Sequence, residues 1–166
     1  MKNPEESHAI SLLVANKPGV LIRISLVFAR RGYNIDSLVV SRSHDPRFSS
    51  MTIVASGDKE TLTQIIHQLN KLVDVIHAKD HTGETMVEKE LALIKLHCSE
   101  EQRTSLLQIV EHFKGQTVDL TENTVMIQIT GNPEKLDAVE ATFDKYKIIE
   151  MIRSGKLIMS RGEEAT

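Results

Sequence analysis

Three adjoining stretches near the amino terminus decide the fold: Ile10-Ser11-Leu12-Leu13-Val14-Ala15, then Asn16-Lys17-Pro18-Gly19, then Val20-Leu21-Ile22-Arg23-Ile24. The apolar first stretch predicts a strand, and the third stretch opens a helical pattern, so the residues between them form a tight turn. Pro18 has no backbone N–H and Gly19 has no side chain. The first N–H groups of the helix are therefore left open to an approaching anion.

Working outward from this turn, we find four segments with helical spacing of apolar residues, each with its own start signal. The start signals are Gly19, Asp58, the capping-box spacing of Ser99 and Gln102, and Asn132-Pro133. The apolar faces are Leu21, Ile24 and Phe28; Leu62, Ile65, Ile66 and Leu69; Leu106, Val110 and Phe113; and Leu136, Val139, Phe143 and Tyr146. The predicted helix ends are Gly32, Leu72, Gly115 and Lys147.

Strand-forming segments separate the helices and complete a repeated order, β-α-β-β-α-β. They span residues 35–43, 50–56, 73–79, 91–97, 116–120, 125–130 and 148–152. The order recurs with a period of about 80 residues, which predicts two tandem modules rather than a solenoid. We expect an α+β fold with one domain over residues 1–80 and a second over 81–166, linked by the loop-like segment 80–85.

Each predicted module is a split β-α-β unit, with a four-stranded antiparallel sheet and two helices on one face. The opposite face of the sheet is expected to be uncovered. Because the strands of the first module are strongly apolar, a protein partner is a better cover for that face than water. We therefore expect subunits to pair side by side or face to face.

Composition excludes several function classes. The 166 residues carry a net charge of −3 with both signs interspersed, which gives no electrostatic reason to expect nucleic acid or a membrane as a partner. The single cysteine, Cys98, cannot form an intramolecular disulfide. No stretch is apolar enough for a signal peptide or a membrane span. A soluble cytoplasmic protein is the resulting expectation.

Several polar groups are set aside as sites. His77 and His81 are four residues apart, but a strand running into a loop does not align them as metal ligands, so exposed or edge histidines are expected. Asp36, Ser37 and His44 have the residue types of a hydrolase triad without a nucleophile elbow. The segment 160–166 is typical of a solvated tail, with a partner contact at residues 160–162 as the alternative. We assign no metal site and no catalytic residue.

A second turn, Gly32-Tyr33-Asn34-Ile35, follows the first predicted helix, and the residues around both turns carry a family resemblance. The relevant stretches are Asn16-Lys17-Pro18-Gly19-Val20-Leu21, residues 30–38, 51–54, 68–75 and 88–95, and the terminal 153–155 and 160–162. The first module resembles the ACT domain, a ferredoxin-like module that commonly binds amino acids. The chain as a whole resembles the small regulatory subunit of acetohydroxyacid synthase, also called acetolactate synthase.

This resemblance implies a non-catalytic chain that binds and activates the catalytic subunit of that synthase. It also implies feedback inhibition by a branched-chain amino acid, usually valine, with leucine and isoleucine as the other candidates. Thiamine diphosphate, magnesium and FAD would belong to the catalytic partner, with no cofactor in this chain. The alternative is an independent amino-acid sensor of the ACT type that acts on another enzyme or on nucleic acid.

The predicted effector site combines the two turns. Its residues are Asn16, Pro18, Gly19, Val20, Asn34 and Ile35. Backbone N–H groups at the helix start suit a carboxylate, neutral amides suit either charged end of a zwitterion, and the two apolar side chains suit an aliphatic group. The family resemblance implies a pocket where two ACT domains meet in a homodimer. Lys17 stands where the family often has an acidic residue, and the same turns could instead be purely structural.

Overall fold

The structure, a computed structural model, describes residues 6–163 and 165–166. The first six elements are β1 (Glu6–Ala15), α1 (Val20–Ala29), β2 (Asn34–Arg42), β3 (Phe48–Gly57), α2 (Lys59–Leu69) and β4 (Val75–Asp80). The remaining seven are β5 (Val87–His97), α3 (Glu100–His112), β6 (Gln116–Leu120), β7 (Thr124–Gly131), α4 (Pro133–Phe143), β8 (Ile148–Arg153) and β9 (Leu157–Met159). The predicted α+β fold with tandem ferredoxin-like modules is confirmed.

The first sheet has the strand order β2-β3-β1-β4, and all neighbours are antiparallel. Alternate residues of β1, among them Ile10 and Leu12, lie in the core beneath α1 and α2. The pairing of Ile10 with Ile53 in β3 continues this apolar layer across the sheet. Phe28 of α1 and Leu62 of α2 complete it from the helical side.

The opposite face of the first sheet is less open than expected. Ala9, Ser11, Thr52 and Val54 lie outside the main core cluster, yet all four are buried. Elements of the same unit account for part of this burial, because Ser11 hydrogen-bonds to His81 beyond the end of β4. The expectation of an uncovered face is therefore wrong for the centre of this sheet.

Four strands of the second, five-stranded sheet repeat the order of the first as β6-β7-β5-β8, and these neighbours are antiparallel. Its core is built from the inward residues of β5 and β7, such as Ile94 and Ile127, which pair directly. Leu106 of α3 and Phe143 of α4 pack on them. The two modules therefore have separate cores with equivalent elements.

The chain divides into two compact units. One comprises the residues up to Val87 together with Lys156–Thr166, and the other comprises Glu88–Gly155. The C-terminal residues thus belong to the first unit, where the Thr166 carbonyl lies 3.3 Å from Nε2 of His77. This contact makes the description of residues 160–166 as a purely solvated tail wrong at its last residue.

Helix α2 ends at Leu69, earlier than the predicted Leu72, and the next side chain bonds both to the last turn of the helix, at the Ile66 carbonyl, and to a residue outside it. The Nδ2 of Asn70 donates to the Ala78 carbonyl at 3.0 Å, and its Oδ1 accepts from the Ala78 N–H at 2.8 Å. These bonds tie the end of α2 to the edge strand β4 and leave the following residues to form a turn. Strand β4 accordingly begins at Val75 rather than at Val73.

Candidate functional site

Hydrogen bonds hold the turn between β1 and α1. The N–H of Asn16 donates to the Arg47 carbonyl at 2.8 Å, and the N–H of Lys17 donates to the Ala15 carbonyl at 2.9 Å. The Nδ2 of Asn16 donates to the Pro46 carbonyl at 3.0 Å. The amide side chain thus holds the loop between β2 and β3, while its Oδ1 makes no hydrogen bond within the described part of the chain and can accept one from a ligand.

Gly19 begins α1 in the left-handed conformation, with φ 82° and ψ −8°. Only glycine adopts this conformation without steric cost, which explains the residue. Among the described residues, no side chain caps the first turn of α1. The Val20 N–H reaches the Lys17 carbonyl only at 3.5 Å, at the long limit for a hydrogen bond. The helix start is therefore able to bind an anion.

A guanidinium group lies beside this turn, and the sequence predictions missed it. A Cβ atom built on Gly19 would lie 3.3 Å from Nη1 of Arg23. The Nη2 of the same side chain donates to Oδ2 of Asp74 at 2.5 Å. The signal in the sequence was the cation itself, because a positive charge in the first turns of a helix opposes the helix dipole.

The two predicted apolar contacts lie on the core side of the first unit. Val20 is 3% exposed and belongs to the core cluster. Ile35 is half-buried and packs against the same cluster. Within one chain, Val20 can therefore offer a ligand its backbone N–H, while Ile35 keeps part of its side chain accessible.

Asn34 lies at the other end of the first sheet from Asn16. It pairs with Ser56 in β3, which in turn pairs with Ser7 near the start of β1. Asn16 follows the last residue of β1, so nine residues separate the two positions along the sheet, or about 30 Å at about 3.3 Å per residue. The predicted site residues thus form two groups that one chain does not bring together.

The side chain of Asn34 is held by its neighbours at that distant end. Its Nδ2 donates to Oδ1 of Asp36 at 2.6 Å. The Ser56 hydroxyl donates to the other oxygen of the same carboxylate. Asn34 and Asp36 are both exposed, so the amide is held in position but remains accessible.

The equivalent turn in the second unit is closed. The N–H of Ser99 donates to Oε1 of Gln102 at 3.5 Å, and the Ser99 hydroxyl donates to the same oxygen at 3.2 Å. Glu100 and Glu101 occupy the first turn of α3. Their negative charges satisfy the helix dipole and repel an anion. Among the helices of the described residues, α1 alone offers an anion an uncapped start of this kind.

The expectation that His81 is exposed or at an edge is wrong, since it is 2% exposed. Its Nε2 lies 2.7 Å from the Ser11 hydroxyl, and its Nδ1 lies 2.7 Å from Oε2 of Glu84. The hydrogen bonds from His81 and Lys79 hold the pKa of the Glu84 carboxyl below its ordinary value. This serine–histidine–glutamate chain has the connectivity of a catalytic triad, but its serine is buried and no nucleophile elbow presents it.

The other constellations are also accounted for. Ser37 lies early in β2, whereas His44 follows the end of that strand, so they do not meet as nucleophile and base. Among residues 6–163 and 165–166, no group of three or more histidine, cysteine or acidic side chains is arranged to hold a metal ion. Cys98 is buried.

Comparison with known proteins decides the family. The model of the AHAS small subunit-like ACT domain matches residues 10–77, and the model of the small subunit of acetolactate synthase matches residues 89–162. The probable acetolactate synthase small subunit of Methanothermobacter thermautotrophicus is 41% identical over 95% of this chain and 94% of its own length. The chain belongs to the acetolactate synthase small-subunit family.

Further relatives agree with this assignment. The acetolactate synthase small subunit of Mycolicibacterium smegmatis is 41% identical over 98% of this chain and 95% of its own length. The crystal structure of the small subunit from Thermotoga maritima superimposes with a TM-score of 0.86 at 36% identity, covering 96% of this chain and 99% of that one. As a member of the acetolactate synthase small-subunit family, the chain has a regulatory role towards a catalytic subunit. Residues 10–77 of its first unit form an ACT domain.

Among the described residues, no helix is both long enough and apolar enough to cross a membrane.

Proposed function

We propose that this chain activates the catalytic subunit of acetolactate synthase and makes it sensitive to feedback inhibition by valine, a product of branched-chain amino-acid biosynthesis. The observation that carries the valine assignment is the uncapped start of α1 at Gly19, with Asn16 and Arg23 beside it. A zwitterion with a small aliphatic side chain matches these donors and acceptors. Thiamine diphosphate, magnesium and FAD are assigned to the catalytic partner, and the complex to the cytoplasm.

The effector site is built from two copies of the chain. Its two groups of residues lie at opposite ends of the first sheet, so a single chain cannot close one pocket around a small ligand. Strand β2 is at the edge of this sheet and runs away from Asn34. A two-fold axis beside β2 pairs it with a second copy in antiparallel orientation, which places the start of one β2 near the end of the other.

This rotation also carries Asn34 of one copy towards the Gly19 turn of the other. Because β1 and β2 run in the same direction, the end of β1 and the start of a symmetry-related β2 lie at the same end of the joined sheet. The Gly19 and Val20 N–H groups would then bind the carboxylate of the effector. The Asn34 amide of the second copy would bind the ammonium, and the open part of Ile35 would contact the aliphatic group.

The surface of α1 supports a dimer along this edge. Ile22 is 66% exposed, and Leu21 and Leu26 are also exposed on the same helix. Val40 is exposed on β2, which α1 contacts. Exposed apolar residues on two neighbouring elements favour a protein neighbour over water. The homodimer therefore buries the exposed apolar residues and completes the effector site in one step.

Inhibition needs a difference in affinity between two arrangements of the complex. An effector that bridges two copies binds most tightly to the arrangement in which both halves of the site meet. A preference of about 1–3 kcal/mol for the inhibited arrangement is typical of such coupling. Selection among valine, leucine and isoleucine depends on about 0.8 kcal/mol per methylene group, which gives a preference rather than an absolute choice.

The test is reconstitution. The purified chain is mixed with the catalytic subunit of its own organism, acetolactate formation is assayed, and valine, leucine and isoleucine are titrated. We expect activation by the chain alone and inhibition on adding valine. Absence of both a complex and activation would refute the regulatory role, whereas activation without any amino-acid response would refute only the effector assignment.

A further inference from the structure

Arg23 and Asp74 form an ion pair at the border of the candidate effector site. The Nη2 of Arg23 donates to Oδ2 of Asp74 at 2.5 Å, across 51 positions of sequence. The Nη1 of the same guanidinium lies within 3.3 Å of the position that a side chain on Gly19 would occupy. The arginine side chain is 47% exposed and the aspartate side chain 18% exposed, so solvent and ligands reach the cation more readily than the anion.

The position of this cation needs an explanation. Arg23 is the fourth residue of α1, near the positive end of the helix dipole, where a cation is unfavourable. Asp74 offsets that cost with its carboxylate. The Asp74 carboxylate accepts from Nη2 of Arg23, whereas Nε and Nη1 of Arg23 make no hydrogen bond within the described residues and can still bind an anion.

The equivalent residue of the second unit shows a different use of the same position. Arg103 is the fourth residue of α3, and its Nη2 donates to the carbonyls of Thr121 and Glu122, at 3.4 and 2.5 Å. That guanidinium holds the turn between β6 and β7. In the first unit, by contrast, the guanidinium is held by a single carboxylate beside an uncapped helix start.

We propose that Arg23 is a ligand for the carboxylate of the amino-acid effector and that Asp74 is an internal competitor that limits the affinity. This rests on the proposed function of the Gly19 turn. The incoming carboxylate takes the place of the Asp74 carboxylate on part of the guanidinium while it accepts hydrogen bonds from the helix start. Guanidinium suits this exchange because its fork of N–H donors matches a carboxylate in two-point contact.

The exchange also links effector binding to a neighbouring strand. The Asp74 carbonyl accepts a hydrogen bond from the Ala15 N–H at 2.7 Å, at the end of β1. Asp74 lies just before β4, and Val73 next to it is 98% exposed. When the effector displaces the Asp74 carboxylate from Arg23, the segment that leads into β4 is held less tightly. The backbone hydrogen bond between Asp74 and Ala15 stays in place.

The test uses isothermal titration calorimetry of valine on the full chain, with Arg23→Gln, Arg23→Lys, Asp74→Asn and the double variant Arg23→Gln/Asp74→Asn. We expect Arg23→Gln to weaken binding about 10-fold or more, and Arg23→Lys to weaken it less, because it keeps the charge but not the fork. Asp74→Asn removes the competitor and should tighten binding several-fold. In the double variant the gain from Asp74→Asn should vanish, because the guanidinium it frees is gone.

The matched control is Arg103→Gln, which removes a guanidinium from the equivalent helix position and should leave valine affinity unchanged. Thermal unfolding of each variant checks that it folds, and Arg23→Lys carries the test if Arg23→Gln does not fold. A purely structural ion pair predicts that Arg23→Gln and Asp74→Asn both weaken binding, and that result would overturn the proposal. Failure of the unsubstituted chain to bind valine would instead overturn the proposed function, and this assignment with it.

Discussion

Helices α1 and α3 occupy equivalent places in the two units but begin in opposite ways. Gly19 starts α1 in a left-handed conformation with no side-chain cap from the described residues. Ser99 and Gln102 cap α3, and two glutamates follow in its first turn. The first arrangement leaves N–H groups for a ligand, whereas the second satisfies them within the chain. One scaffold thus supports a binding turn in one unit and a structural turn in the other.

The two units also differ in which side chains they bury and expose. Among the described residues, all buried polar side chains except that of Glu90 lie in the first unit. Those of the first unit are His8, Ser11, Ser49, Thr52 and His81. The apolar exposure of α1, including Ile22, also has no counterpart on α3, whose exposed residues are polar. The second unit exposes apolar residues on its strands instead, such as Val118 on β6 and Ile152 on β8. The contrast between the units therefore lies in the buried polar side chains and in the apolar surface of α1.

The largest expected difference comes from placing a carboxylate at each helix start. Gly19→Asp should abolish measurable valine binding, a loss of at least about 100-fold, because it sets like charges together and obstructs the turn. Ser99→Asp should leave valine binding unchanged, since aspartate is an equally good cap in a unit without the site. Calorimetry of both variants measures the contrast.

Gly19→Ala separates charge from strain at the same position. It imposes the same unfavourable backbone conformation, and its Cβ meets the Arg23 guanidinium at 3.3 Å, without adding charge. We expect weaker binding than in the unsubstituted chain but stronger than in Gly19→Asp. Equal affinities for the two variants would assign the whole effect to backbone geometry.

The hydrogen bonds of Ser11, His81 and Glu84 in the first unit should contribute more to the free energy of unfolding than any single helix cap. His81→Leu leaves the Ser11 hydroxyl buried without its partner, which costs about 1–3 kcal/mol of unfolding free energy. Removing the hydroxyl as well, in Ser11→Ala/His81→Leu, should restore much of that loss. Urea unfolding at neutral pH measures both. A double variant less stable than His81→Leu would show that the hydroxyl is satisfied by another group.

A smaller loss is expected at the cap of the second unit. Ser99→Ala removes a side chain that joins the start of α3 to Gln102 and should cost about 0.5–2 kcal/mol. Valine affinity should stay the same, because the change lies in the unit without the effector turn. Hydrogen exchange should show faster opening of α3 and no change in α1. Equal acceleration in both helices would contradict the independence of the two cores.

The smallest expected effect is a pH dependence confined to the first unit. The pKa of the Glu84 carboxyl is lowered by its hydrogen bonds to His81 and Lys79. A lowered pKa stabilises the fold above the unfolded value of about 4.3, and the contribution disappears as the pH falls through the lower folded-state pKa. In Glu84→Gln this contribution is absent at every pH. The difference in unfolding free energy between the two proteins, measured by urea unfolding, should therefore shrink as the pH falls from roughly 6 to roughly 3.

Local chemistry explains what the sequence could predict. Apolar periodicity placed all four helices and both sheets, and the pairing of Pro18 with Gly19 predicted the open turn. The capping residues Asp58 and Asn132 could also be predicted, and both accept a backbone N–H of the following helix. These signals lie within a few residues of the structure they specify, so they do not depend on the tertiary fold.

Long-range contacts explain what was missed. Arg23 meets Asp74 only because β4 returns beside the end of β1, and no local pattern marks that pair. The burial of His81 likewise depends on Ser11, seventy positions away. The separation of Asn34 from Asn16 follows from the parallel course of β1 and β2, which becomes clear only when the strand order is known.

Mixing two defective chains tests the two-copy site most directly. Gly19→Asp damages one half of the site and Asn34→Ala the other, so each variant alone should show no valine response. Dimers that contain one chain of each kind regain one intact site, and random re-association at equal amounts restores about a quarter of the original sites. Valine binding recovered to that level in calorimetry is the predicted result. No recovery from a pool shown to contain mixed dimers would contradict a site shared between copies.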